Sequence, residues 1–263
     1  MGPARHVIIG DIHGCLNEFN ELLSVLDLTT EDTVILAGDL VDKGYDSAGV
    51  VKRARELRES GTVRQVVLVM GNHEEKHSRF RTRMIAGADV TALKGHEEMS
   101  EITRGLTVED VFFLNSAILF HRIPGYNSIV VHAGIPLGLQ HLPPSPEGLA
   151  EIPRKERDRM NLMLRIRYLR PSTGNMVPMG QEQEGDTYWA HAYDGRFGHV
   201  FFGHEPFIPG TSNSAYEFPF ATGLDHGCVF GGSLTAMVLS PNRADLVSVK
   251  AHAAYNKSYA QEV

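Results

Sequence analysis

The sequence is poor in cysteine, with Cys15 and Cys228 the only two among 263 residues, and it has a single tryptophan, Trp189. Two cysteines cannot build a disulfide framework, and a chain this long does not need one. Nor can two thiolates complete a tetrahedral zinc site, so reduced thiols in a cytosol-like compartment are expected. No run approaches the roughly 20 apolar residues of a membrane span. Residues 1 to 6 pass directly into an apolar stretch with no room for a signal peptide, so neither membrane insertion nor secretion is expected. Cations are in deficit as well. A balance of 25 Lys and Arg against 32 Asp and Glu leaves a net charge of −7. That argues against broad affinity for nucleic acid and leaves only local basic patches to hold a phosphate chain. Histidine, by contrast, is plentiful at 13 residues, and only its placement can turn that number into chemistry.

Short β-branched runs recur along the chain, each ending in a glycine and a polar residue. Val7 to Ile9 precedes Gly10-Asp11, Val34 to Ala37 precedes Gly38-Asp39, and Val66 to Met70 precedes Gly71-Asn72. Continuous runs of this kind predict strands buried on both faces. Between them, Leu16, Phe19, Leu22, Leu23 and Leu26, then Val50, Val51, Ala54 and Leu57, fall on single helical stripes, giving a βαβαβ layout. Ile129 to Val131 before His132, and Val200 to Phe202 before Gly203-His204, repeat the strand with a polar tip. Ala236 to Leu239 and Leu246 to Val249 are expected to add edge or second-sheet strands. The reading is one layered α/β domain, 1–263, with ligands leaving the strand ends. The proline-rich stretch 136–185, with a charged helical segment near Arg154 to Leu169, is expected to form a cap-like, substrate-facing insertion.

The tips carry donor atoms. Gly10-Asp11-Ile12-His13-Gly14 offers a carboxylate and an imidazole two residues apart, Gly38-Asp39-Leu40-Val41-Asp42-Lys43-Gly44 a second carboxylate, and Gly71-Asn72-His73-Glu74 an amide oxygen beside an imidazole. His132 and His204 complete an oxygen and nitrogen set suited to divalent first-row metals. That set does not choose among manganese, iron, cobalt, zinc and magnesium.

These motifs, in this order, resemble those of the calcineurin-like metallophosphoesterases of the phosphoprotein phosphatase superfamily. The resemblance implies a layered metallophosphoesterase fold and two metal ions. It would place Asp11 and His13 on the first ion, Asp39 between the two, and Asn72, His132 and His204 on the second. Two ions about 3.5–4 Å apart can share a hydroxide, lower its pKa and neutralise a phosphoryl group under in-line attack. The same resemblance casts His73 as the acid that protonates the leaving oxygen, oriented by Asp42. A carboxylate on one imidazole nitrogen fixes the tautomer and keeps such an acid available near neutral pH.

The stretch Gly223-Leu224-Asp225-His226-Gly227-Cys228-Val229-Phe230-Gly231-Gly232-Ser233-Leu234-Thr235-Ala236, with His132-Ala133-Gly134-Ile135, is similar to the ApaH-like branch, which includes diadenosine tetraphosphatases. That likeness implies a dinucleoside polyphosphate substrate, with capped RNA ends and inorganic polyphosphate as chemical relatives. Lys43 stands where the superfamily usually carries Arg, exchanging a planar fork for a point charge. Asp42 matches the protein phosphatases, and His226 sits where Thr is common, so a eukaryotic-type member is expected. A protein serine/threonine phosphatase acting on a phosphoprotein is the alternative; an inactive binding module is disfavoured because every expected ligand is present. No membrane and no obligate protein partner are expected. Lys43 and Arg196 are the expected phosphate contacts. Arg79, Arg81, Arg83, Arg165 and Arg167 are further cations that read more simply as surface residues, and Trp189 and Tyr193 could stack a base or pack the core.

Overall fold

The computed structural model describes residues 4–208 and 216–257. Three parallel strands open the chain: β1 (His6–Ile9), β2 (Thr33–Leu36) and β3 (Gln65–Leu68). Parallel neighbours need a crossover connection, usually a helix. Here α1 (Leu16–Leu26) and α2 (Ser47–Glu59) supply it, the second capped by the Asp46 carboxylate accepting from Gly49 N at 2.7 Å. After β3 come α3 (Asn72–Ile85), α4 (His96–Gly105) and α5 (Val108–Asn115). The chain then forms β4 (Phe120–Ile123) and β5 (Ser128–Val131). Next it runs through α6 (Arg154–Met160), β6 (Tyr168–Arg170), β7 (Asn175–Met176), β8 (Thr187–Tyr188) and α7 (Trp189–Ala192) to β9 (His199–Phe202). Five short or late strands close it: β10 (Glu217–Phe218), β11 (Ala221–Gly223), β12 (Asp225–His226), β13 (Ser233–Ser240) and β14 (Arg243–Lys250).

Two sheets stack face to face. One runs β12-β13-β1-β2-β3 with β14 also on β13; the other runs β10-β11-β9-β5-β4. The alternation of side chains shows why both faces of each strand are apolar. Ile8, Ile35 and Val67 of the first sheet meet Val130 and Phe201 of the second in a shared middle layer. Their neighbours Val7, Ile9, Val34, Leu36, Val66 and Leu68 turn outward to α1 and α2, burying Phe19, Leu22, Val50 and Leu57. On the far side Ile129, Val131, Val200 and Phe202 pack against Met160, Met163, Ile166 and Trp189. Each such fully buried aliphatic side chain contributes about 1.5–3 kcal/mol, so the three layers fix the register from which the tips project.

Two expectations are corrected. The run Ala236 to Leu239 is not peripheral: β13 lies inside the first sheet, antiparallel to β1 with Val7 opposite Val238, while β14 hairpins onto its other side. A two-residue connection between Ser240 and Arg243 makes that hairpin, and the strand is long enough for both partners. The charged helix expected from Arg154 to Leu169 ends at Met160, passes through a 3-10 turn at Asn161–Leu164, and gives way to β6. There β6 pairs β7 and β8 in a small three-stranded sheet, a pairing that the aromatic and branched residues from Ile166 to Leu169 favour over continued helix.

Candidate metal centre

All five tips come from the carboxyl ends of parallel strands, and the two sheets bring them together. The loops interlock through backbone hydrogen bonds: His13 N donates to Asp39 O at 2.8 Å, and Gly203 N to His132 O at 2.8 Å. Glycine makes the close approach feasible. A Cβ on Gly71 would stand 2.3 Å from Asp39 Oδ1, and one on Gly203 would stand 1.9 Å from Asp11 Oδ1. Among the described residues six non-glycines have positive φ, and five of them belong to this region: His13, Asp39, Asp42, Lys43 and His204. Backbone strain of this sort persists only where surrounding contacts over-determine it.

The Asp39 carboxylate sits at the middle. Its Oδ2 is 3.5 Å from His13 Nε2, its Oδ1 is 3.4 Å from His132 Nε2, and Asp11 Oδ2 lies 3.9 Å from His13 Nε2. Donors each 2.0–2.2 Å from one ion stand about 3–4 Å apart, so the two oxygens of Asp39 face two separate donor groups. Asn72 Oδ1 is 2.9 Å from His132 Nε2, and the rings of His132 and His204 are 5.0 Å apart. Asp39, His132 and His204 present one compact donor set, and Asp39 with His13 and His73 another.

The electrostatics fit divalent cations. Burial, assisted by the Lys43 cation, holds His13 well below the ordinary imidazole range; burial and the Arg167 cation do the same for His204. Both rings are therefore neutral donors. His204 Nε2 is buried without a hydrogen-bond partner among the described residues, an orphan that a metal would satisfy. Burial and the neighbouring Asp225 charge push Asp11 well above the carboxylate range, and burial raises Asp225. The protein alone leaves these acids short of positive charge. For His132, burial acts downward, but Asp39 and Asp11 outweigh it and push the ring up to about 9. A cation bound there would displace that proton. The outer nitrogens are fixed: His13 Nδ1 meets Val41 O and His132 Nδ1 meets Ala37 O, each at 2.9 Å, which orients both Nε2 atoms inward.

His73 borders this cluster. Its Nδ1 is 2.6 Å from Asp42 Oδ2 and its Nε2 is 3.8 Å from Asp39 Oδ2, so the carboxylate backs the ring while the other nitrogen faces the donors. Asp42 is shared, accepting from Lys76 Nζ at 2.8 Å and meeting His77 Nε2 at 2.7 Å. Burial raises its pKa, but the hydrogen bonds from His73 and His77 more than offset this and hold it far below the carboxylate range. Lys43 also reaches the centre, its Nζ 2.8 Å from His13 Nε2.

Sequence reasoning missed Glu74 as a positioning residue. Buried, it accepts from Asp39 N and Leu40 N at 2.8 Å each and from Gly71 N at 3.1 Å, tying the second tip to the third. The signal was its place at the third position of a helix that follows a glycine cap, from which a Glu reaches back to the cap's N–H. His77, one helical turn after His73, carried a similar signal.

Arg196 is not brought to the centre. Its guanidinium is bound by Asp194, at 2.7 Å from Oδ2, and by the Leu139 carbonyl, because the turn places an acid two residues before it. Arg81 is buried against Asn115, and Arg79 pairs with Glu75. Arg165 reaches Glu75 at 3.0 Å, while Arg167 pairs with Glu205 and donates to His204 O at 3.3 Å. Trp189 is fully buried, with Gly134 against its ring, and the Tyr193 hydroxyl donates to Gly198 O; both are core residues.

Comparison with known proteins places this arrangement. A model of the calcineurin-like phosphoesterases matches residues 4–247. The chain belongs to that family. This phosphohydrolase is 27% identical to the asymmetrical bis(5′-nucleosyl)-tetraphosphatase PrpE of Bacillus subtilis, over 95% of its own length and 96% of the relative's. It is 30% identical to the protein of the same name from Oceanobacillus iheyensis, over 87% and 86%. A crystal structure provisionally described as a diadenosine tetraphosphatase superposes with a TM-score of 0.65 at 25% identity, covering 95% of this phosphohydrolase and 98% of that chain. These two sequence relatives are bacterial, whereas Asp42 and His226 had pointed to a eukaryotic-type member. The fold extends to a serine/threonine phosphatase of Saccharomyces cerevisiae, with a TM-score of 0.60 at 16% identity.

Proposed function

We propose that this enzyme hydrolyses a phosphoanhydride bond of dinucleoside polyphosphates such as diadenosine tetraphosphate. Asp11 and His13 would hold one divalent ion, Asn72, His132 and His204 a second, with Asp39 shared. Such ions supply activated water and charge neutralisation at the phosphoryl group. The observation that carries the reading is the pairing of a central carboxylate with a carboxylate-backed imidazole: Asp39 divides its oxygens between two donor groups, and His73 Nε2 stands 3.8 Å from its Oδ2. His73 protonates the departing oxygen from Nε2, the nitrogen turned toward the donors. Asp42 fixes the ring's tautomer and orientation, and Lys43 offers a point charge to the phosphoryl oxygens. The insertion 136–185 faces the substrate, with Arg165 and Arg167 bordering the site from that side.

The whole-length likeness to proteins named as asymmetrical tetraphosphatases favours a dinucleotide over a phosphoprotein, and nothing observed favours a capped RNA end. The test is turnover by manganese- or cobalt-loaded protein of diadenosine tetraphosphate beside a phosphothreonine peptide, with products resolved. A higher kcat/KM for the dinucleotide is expected. Release of ATP and AMP marks asymmetric cleavage and ADP alone marks symmetric cleavage; preference for the peptide would replace this reading with a protein phosphatase.

A further inference from the structure

Beside the centre, α3 and α4 enclose an open groove of about 500 Å³ that none of the expected roles uses. Its apolar floor is Phe80, Leu93 and Met99; its rim carries Lys76, Arg79, Arg83 and Lys94 against one acid, Glu98. That volume lies within the range of small-ligand sites, and four cations to one anion stands out on a chain of net charge −7. Arg83 and Lys94 are exposed and form no ion pair among the described residues, so their charge is available. The groove is continuous with the chemistry. Lys76 lines it while its Nζ touches Asp42, the carboxylate behind His73, and Glu98 lines it while accepting from Lys43 N at 3.1 Å.

We infer that this groove receives the nucleotide leaving group, the part of the substrate that departs past His73. The inference rests on the reading of His73 as the acid on the leaving side. The phosphate chain would cross the Asp42–Lys76 pair and lie along Arg83 and Lys94, with the base over the apolar floor. Such a ligand matches the groove in both respects, since a nucleoside polyphosphate is anionic along one part and flat and apolar-faced at the other.

The experiment uses the metal-loaded full chain, wild type and the double variant R83E/K94E, with three readings. For diadenosine tetraphosphate, KM rises about tenfold with kcat within about twofold, the size expected from reversing two exposed charges. For p-nitrophenyl phosphate, which has nothing to place in the groove, kcat/KM stays unchanged and reports an intact fold. For ATP as an inhibitor of p-nitrophenyl phosphate hydrolysis, the inhibition constant rises about tenfold, and the difference shrinks at high salt. An unchanged inhibition constant for ATP overturns the inference. Wild-type failure on the dinucleotide with retained p-nitrophenyl phosphate turnover overturns the substrate reading instead, and the ATP comparison still decides the groove.

Discussion

The strand-tip half of the molecule and the segment that follows β5 are built by different means. In the first, donors project from parallel strands, the loops of Asp11 and Asp39 and those of His132 and His204 interlock in pairs by backbone hydrogen bonds, and Glu74 ties Asp39, Leu40 and Gly71 together while buried. The second, 136–185, stands on an apolar base of Met160, Met163, Ile166 and Leu169. It meets the centre through one backbone bond, Ala133 N to Met163 O at 2.8 Å, and through side chains at its edge, the Arg165–Glu75 pair and the Arg167 bond to the His204 carbonyl. Rigid elements suit positions that must hold to a fraction of an ångström, and long charged side chains suit contacts that can vary with the ligand. Under the proposed function, the contrast assigns the reaction to the interlocked half and ligand choice to its surroundings.

Substitutions in the interlocked half should therefore be costly out of proportion to their size. Asp39→Asn keeps the shape but removes the shared charge, and turnover should fall at least ~10²-fold with loss of bound metal, read by kinetics and metal analysis. Wild-type activity there would break the comparison at its centre. His73→Asn should cost about 10²-fold with metal content unchanged, and the loss should shrink for a substrate whose leaving group needs no proton, such as 2,4-dinitrophenyl phosphate. An equal loss on both substrates would make His73 a structural residue. Gly71→Ala alters no donor, yet its methyl would stand 2.3 Å from Asp39 Oδ1, so metal affinity should drop about 10–100-fold in a titration.

Arg165→Ala sharpens the other side of the contrast. Its exposed pairing with Glu75 predicts a change in KM below about threefold. Smallest is a pair outside both regions, Arg5 with Asp32. Burial raises the Asp32 pKa, but the hydrogen bonds from Arg5 and Thr29 outweigh it and the carboxyl titrates below its ordinary range. A depressed carboxyl stabilises above its unfolded pKa and loses that contribution as pH falls through the folded one. Arg5→Ala should lower Tm by at most about 3 °C at pH 7, with the gap closing below about pH 4.

The candidate donors were legible in sequence because each lies just after a β-branched run, with a glycine between at every tip but His132, a local signal that needs no knowledge of distant partners. The middle layer was legible for a related reason, since strands apolar at every position must be covered on both faces. What escaped depended on meetings between distant residues. Nothing near β13 in the chain says that it lies beside β1, and nothing near Arg167 says that it touches the carbonyl of a residue 37 positions on. Arg196 is the instructive exception, because its acid stands two residues away in the same turn and could have been weighed first.

The left-handed backbones at His13, Asp42, Lys43 and His204 bear on how the protein could be engineered. Each such non-glycine residue costs on the order of 1 kcal/mol, and glycine would relieve it. A library screened for heat resistance alone would drift toward glycine at these positions. It would deliver a sturdier protein whose loops had given up the side chains they are bent to present.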